Sequence, residues 1–223
     1  MVGPFAWFKW VALFKDWHVF TEGFVTTAVV SASALGLALI LGIFFGMLGA
    51  SHWKIPWVFT RCYVEFIQNT PLVIQVFFLY NGLPYLGITL PVIAVGIIGV
   101  GVYHGAYIAE VIRSGIQAVP KGQREAALSQ GFTYWESLRY IILPQAKKVV
   151  FPPLTNQAVY LIRNTSVLAM IAGGDLMYRA DSWAGNNLYY GPSYVVTGLL
   201  YLLLCLPLSQ FARHLERKAE VSA

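Results

Sequence analysis

Arg163 is the residue whose position in this chain most demands a chemical reason. It lies inside residues 149–173, an apolar stretch with no other charged side chain. Holding a charge at such a place costs a few kcal/mol on insertion scales. A guanidinium presents a planar fork that can grip a carboxylate through two parallel hydrogen bonds. At helical spacing Asn156, Tyr160 and Val167 share its face, Gln157 and Asn164 edge it, and Ser166 follows closely. Upstream, Tyr103 and Tyr107 form one stripe with Glu110, and Gln75 lies on the same face as Gln68. Gln75, Tyr103, Tyr107, Asn156, Gln157, Tyr160, Arg163, Asn164 and Ser166 are therefore the candidates for a polar path through apolar surroundings. The competing reading is an internal ion pair, with Glu65, Glu110 or Asp175 neutralising Arg163. Glu110 and Arg113, three residues apart, read as a structural pair, and His104 as a packed, hydrogen-bonded residue. His18, His52, His104 and His214 are scattered with no cysteine near them, so no metal site is expected. No catalytic constellation appears, so the chain is not read as an enzyme.

These residues need elements to carry them. The chain has 223 residues, of which 57% are hydrophobic and only 11% charged, with a mean hydropathy of +0.62. That balance excludes an ordinary soluble domain. Uncharged stretches are the length a bilayer crossing requires, about 20 residues. They predict an all-α polytopic membrane protein with about five spans. Residues 22–54 bracket the first. Residues 66–109 hold no charge at all and are too long for one helix; Asn81-Gly82-Leu83-Pro84 divides them into a second and a third. Residues 149–173 supply the fourth and 191–212 the fifth. Thr70 is expected to satisfy backbone groups loosened by Pro71 at a kink. Residues 1–21 interleave tryptophans with Lys9, Lys15 and Asp16. They read either as an interfacial amphipathic helix or as the start of the first span, with no cleavable signal. Cys62 and Cys205 fall in or beside apolar spans, so no disulfide is expected. The spanning domain is 22–213 and the tail 214–223.

One polar insert, about residues 117–148, interrupts the spans. Its first helix is expected over residues 123–130, ended by Gly131 in the left-handed position. Thr133 and Glu136 form a capping box for a second helix, with Tyr134, Leu138 and Ile141 as its apolar stripe and Pro144 as its end.

Gly122-Gln123-Arg124-Glu125-Ala126-Ala127, then Gly131, then Ile142-Leu143-Pro144-Gln145-Ala146 resembles the EAA loop of permeases in ATP-binding cassette importers, the polar amino acid branch in particular. Ile162-Arg163-Asn164-Thr165-Ser166-Val167 resembles a basic–Asp/Asn–Thr–Ser–aliphatic pattern of the same branch. Tyr107, Glu110 and Arg113 match its Tyr–x–x–Glu–x–x–Arg. Asn69-Thr70-Pro71-Leu72 matches a further segment, but Gln68 stands where arginine is usual, so the role tied to that arginine does not carry over. The resemblance covers most of the chain and implies a type I importer permease fold. It further implies that Gln123, Arg124, Glu125, Ala126, Ala127 and Gly131 form a coupling helix against a separate ATPase. The implied partners are an ATP-binding cassette ATPase dimer, a second permease subunit (identical or homologous), an extracytoplasmic amino acid-binding protein and membrane lipid. No cofactor is expected in this chain: it has no phosphate-binding loop, and ATP and Mg would be bound by the ATPase.

With five spans, Lys54, Arg61, the basic residues of the insert and the tail share one side. The positive-inside rule makes that side cytoplasmic and the amino terminus external, in a bacterial plasma (inner) membrane. This arrangement explains the net charge of +5 without nucleic acid as a partner. The expected function is the permease subunit of an ATP-driven importer for a polar or charged L-amino acid. The alternatives are an ion-coupled secondary transporter or channel working without an ATPase, and, with less support, an integral membrane enzyme.

Overall fold

Small residues on one face of the first long helix decide how closely it meets its neighbour. In the computed structural model, which describes residues 3–51 and 53–220, helix α2 (Trp17–Gly49) packs along α5 (Val92–Gln117) with Gly42 and Gly46 at the seam. A Cβ at Gly42 would lie 2.2 Å from Cγ2 of Ile108, so only glycine permits this approach. Val30, Ala34 and Ala38 of α2 join Val100, Ile108 and Ile112 of α5 in the principal core.

Among the described residues every regular element is helical. A short helix, α1 (Trp7–Lys15), precedes α2 and is separated from it at Asp16. It turns Leu13 inward while Trp7, Phe8 and Phe14 stay exposed. The first long helix therefore begins at Trp17, ahead of Glu22, whose charge is met by Arg179 at 2.7 Å. Helix α3 (Lys54–Gln68) is followed by α4 (Leu72–Phe77), a π turn at Phe78–Gly82 and a 3-10 turn at Leu83–Leu86. The two halves bend by 96° at the break before Pro71, far more than the expected kink. Pro71 cannot continue the hydrogen-bond ladder. The hydroxyl of Thr70 donates to the Phe66 carbonyl at 2.8 Å, and Gln75 Nε2 donates to the carbonyls of Ile67 at 2.9 Å and Thr70 at 3.0 Å. Side chains thus replace the backbone donors that the turn removes.

Beyond α5, the insert forms α6 (Lys121–Ser129), α7 (Tyr134–Glu136) and a π turn at Ser137–Ile142 that runs directly into α8 (Leu143–Asn164). Pro144 does not end this helix as expected. It stands in the first turn of α8, just beyond the π turn, where the absent N–H and fixed φ are tolerated. A 3-10 turn at Thr165–Ile171, then α9 (Leu176–Asn187) and α10 (Tyr190–Glu220) complete the chain. The tail thus continues α10 to Glu220; His52 and the last three tail residues lie outside the described residues.

By length and composition, α2, α5 and α10 can each cross a membrane, and the bent α3–α4 pair makes a fourth span if counted as one. The polar load of α8, including Lys147, Lys148, Asn156, Gln157 and Arg163, lowers its apolarity. At one end of the bundle the termini of α2 and α5 meet α6. At the other, Leu176 N–H donates to Thr27 Oγ1 at 2.9 Å and ties α9 to α2.

Candidate functional site

Two helices build the polar site. Tyr103, His104 and Tyr107 stand on α5; Gln157, Tyr160, Arg163 and Asn164 stand on α8. Together they line an open cavity of about 460 Å³. The spacing of four on α5 and of three and four on α8 puts these side chains on facing stripes. The hydroxyls of Tyr103 and Tyr107 are hydrogen-bonded at 3.1 Å. The Arg163 guanidinium lies 4.8 Å from the Tyr160 ring centroid, a cation–π contact.

Arg163 is held where α8 tightens into the 3-10 turn. The Ser166 hydroxyl donates to the Arg163 carbonyl at 2.8 Å and that of Thr165 to the Ile162 carbonyl at 2.7 Å. These hydroxyls add side-chain donors to carbonyls at the point where the helix changes type. None of the three acidic residues considered as counter-ions reaches Arg163. Glu65 pairs with Arg61, and Glu110 pairs with Arg113 and, at 3.9 Å, with Arg61. Asp175 is fully buried at the start of α9, where Oδ2 accepts from Met177 N–H at 3.0 Å. The internal ion-pair reading of Arg163 is thereby replaced: the acids were nearer, in space, to other groups than hydropathy alone could reveal.

Of the sequence-derived path residues, Tyr103, Tyr107, Gln157, Tyr160, Arg163 and Asn164 come together. Asn156, Gln75 and Ser166 do not line this cavity. Asn156 donates to Glu216 Oε1 at 2.9 Å, bracing α8 against α10. Gln75 bridges the α3–α4 break and borders a separate, almost wholly apolar cavity of about 380 Å³ with Phe66, Ile74 and Phe78. Ser166 caps the carbonyl of Arg163. His104 is the packed, hydrogen-bonded residue the sequence led us to expect, and it also stands in the cavity lining between the two helices. It is only 2% exposed, its Nε2 lies 3.0 Å from Asn164 Nδ2 and its Nδ1 3.3 Å from Gln157 Oε1. Its adjacency to the Tyr103–Tyr107 stripe was the one available signal.

The insert has its own geometry. Ala127 is buried at 5% exposure against the π turn, while Glu125 and Ala126 face outward. Gly131 adopts φ of 90°, and the amide of Phe132 donates to the Ala127 carbonyl at 3.1 Å, closing the hairpin. The capping box forms as expected. Thr133 N–H donates to Glu136 Oε2 at 2.8 Å and Glu136 N–H to Thr133 Oγ1 at 3.3 Å. The Thr133 N–H and, at 2.7 Å, the Thr133 hydroxyl both donate to the Glu136 carboxylate and favour its ionised form, so Glu136 titrates below its usual range. Leu138 enters the core with Tyr134 and Ile141 packed beside it, and the Arg124 guanidinium lies 5.5 Å from the Tyr134 ring centroid. Gln123 reaches across to Gln145.

A bundle of long apolar helices, a polar cavity between two of them and a polar hairpin at one end are the features to set beside known proteins. Residues 38–221 match the family described as binding-protein-dependent transport system inner membrane component, and the chain belongs to that family. It is 42% identical over 211 residues to the probable glutamine ABC transporter permease protein GlnM of Bacillus subtilis (strain 168), covering 94% of this chain and 97% of that one. It is 30% identical over 216 residues to the glutamine transport system permease protein GlnP of Escherichia coli (strain K12), covering 96% and 99%. Among solved structures it superposes on an amino acid ABC transporter with histidines at a TM-score of 0.86 and 31% identity, covering 94% of this chain and 98% of that one. Against the inward-facing MetNI methionine ABC transporter the TM-score is 0.73 at 15% identity, covering 90% and 98%, a likeness of fold. The protein is an amino acid ABC transporter permease of the inner membrane with the type I importer fold.

Proposed function

We propose that this chain forms the translocation path of an ATP-driven importer for a polar L-amino acid and couples to a separate ATPase through the α6 hairpin. One observation carries the reading. The helical run that Thr133 caps starts at Tyr134 and continues through the π turn and α8 to Asn164, so the same rod that holds the hairpin carries Arg163 and its cavity. The 22 residues of α8 alone span roughly 33 Å at helical rise. A push on the hairpin is therefore a push on the cavity wall, without a loop to absorb it.

In this reading Gln123, Arg124, Glu125, Ala126, Ala127 and Gly131 form the coupling element. Ala127 anchors α6 to the rod, and Glu125 and Ala126 present a small, acidic surface to an ATPase dimer, which binds ATP and Mg. Arg163 holds the substrate carboxylate. Tyr103, Tyr107, Gln157, Tyr160 and Asn164 line the path, and a second permease subunit closes its other side. α8 is the remaining membrane span. The hairpin end, rich in Lys and Arg, faces the cytoplasm; the α1 and α9 end faces outward, where an amino acid-binding protein delivers substrate. The glutamine permeases among the relatives support a polar substrate.

Reconstitution of the chain with its ATPase and binding protein in proteoliposomes tests this. L-Amino acid uptake should require ATP and be lost in Arg163→Ala. Uptake by the chain alone, with neither ATPase nor nucleotide, would overturn the proposal.

A further inference from the structure

The cavity wall contains a buried imidazole held between two primary amides. His104 is enclosed between α5 and α8 with both ring nitrogens occupied, Nε2 by Asn164 Nδ2 at 3.0 Å and Nδ1 by Gln157 Oε1 at 3.3 Å. With Asn164 donating to Nε2, that nitrogen must accept, and the single ring proton resides on Nδ1, where it is donated to Gln157. One neutral imidazole thus pins two primary amides in opposite senses. Gln157 is left with its NH2 donors and Asn164 with its carbonyl acceptor, and both residues line the cavity.

We propose that His104 is a positioning residue that orients Gln157 and Asn164 so that the cavity selects an amino acid with a neutral carboxamide side chain over cationic and anionic ones. This rests on the reading of the cavity as the substrate path. A carboxamide has one acceptor oxygen and one donor NH2, the complement of what the two pinned amides leave free. Charge points the same way. Arg163 is the only charged residue among those lining the cavity. Glu65, Glu110 and Asp175 are each engaged elsewhere. A cationic side chain would meet a guanidinium and no counter-charge in a weakly screening environment. An identical second subunit would add another Arg163 and no carboxylate. An anionic side chain would place a second carboxylate in competition for the guanidinium and against the Asn164 carbonyl. A site built to hydrogen-bond a polar side chain rejects mismatched ones because its own groups are then left unpaired.

The test is equilibrium binding of radiolabelled L-glutamine, L-arginine and L-glutamate to the permease–ATPase complex in nanodiscs, without the binding protein, so that membrane-site selectivity alone is read. The wild-type complex should prefer L-glutamine by about ten-fold or more over each charged ligand. His104→Leu should pull these ratios towards unity, and His104→Gln, which retains one donor and one acceptor, should keep part of the preference. Gln157→Glu should shift the glutamine-to-arginine ratio towards arginine by about ten-fold, a change that a merely structural role for this pair would not produce. Wild-type preference for arginine or glutamate would overturn the inference, as would unchanged ratios in both His104→Leu and Gln157→Glu. If those ratios stay put while Arg163→Ala abolishes binding, the selectivity device is wrong and the pathway stands. If Arg163→Ala binds all three ligands as the wild type does, the pathway reading itself falls.

Discussion

Asp16 and Trp183, separated by 167 positions in the chain, meet through a 2.8 Å hydrogen bond from the indole Nε1 to the carboxylate Oδ2. The bond ties the junction of α1 and α2 to α9, and the Trp183 ring packs edge-on against Phe20 with centroids 5.6 Å apart. Trp183→Phe keeps the ring contact and removes the donor, so it should destabilise the protein by about 1–3 kcal/mol. Trp183→Ala, which also opens a cavity, should cost about 3–5 kcal/mol. Thermal melting of the purified protein reads both; equal melting of Trp183→Phe and wild type would mean that the bond contributes nothing.

The α2–α5 seam offers a sharper steric test. A methyl group at position 42 falls 2.2 Å from Ile108 Cγ2, and Ile108 is fully buried, so little can move aside. Gly42→Ala should cost about 1–3 kcal/mol through overpacking. Adding Ile108→Ala, which deletes the obstructing methyl, should recover part of that loss relative to the sum of the single effects. Simple additivity in this double-mutant cycle would rule out the contact as the cause.

Gly131 tests backbone strain without a clash, because a Cβ there meets nothing within 4 Å although φ is 90°. Gly131→Val should cost roughly 1–2 kcal/mol of local strain and Gly131→Asn less, since asparagine visits the left-handed region more readily. ATP-driven uptake should fall in the order Gly, Asn, Val while the protein stays inserted. Undiminished uptake in the valine variant would count against the hairpin as the coupling element.

Glu136 makes the hairpin sensitive to acid. The backbone N–H of Thr133, followed by its hydroxyl, holds the Glu136 carboxyl below the ordinary range. A group whose folded pKa is depressed contributes above the unfolded value, and the contribution is lost as pH falls through the folded value. Hydrogen-exchange protection of the hairpin, corrected for intrinsic rates, should therefore hold from neutral pH to about 4.3 and decline below it. Glu136→Gln should remove that acid step while lowering protection at neutral pH. An identical acid profile in the variant would assign the step to another group.

Local chemistry was legible where neighbours in sequence decide the outcome. The Thr133–Glu136 box, the left-handed Gly131 and the inward stripe of Tyr134, Leu138 and Ile141 depend on residues within one or two turns, and all are legible in the sequence. Pro144 was misjudged because the π turn ahead of it depends on packing around Leu138 and Ile142, which no local pattern records. The Pro71 break was visible as a site but not as a 96° bend, across which Gln75 reaches back to the Ile67 and Thr70 carbonyls.

From the sequence alone came the helical class, the apolar spans, the separate hairpin and the oddity of Arg163, because each follows from hydropathy, periodicity or short-range capping. Tertiary structure decided which polar groups face one another: it sent Glu65 and Glu110 to Arg61 and Arg113, Asn156 to Glu216, and His104 between Gln157 and Asn164. The physical reason is that a hydrogen bond or ion pair depends on a few ångströms of separation between helices, whereas composition and spacing constrain only the helix on which each partner sits.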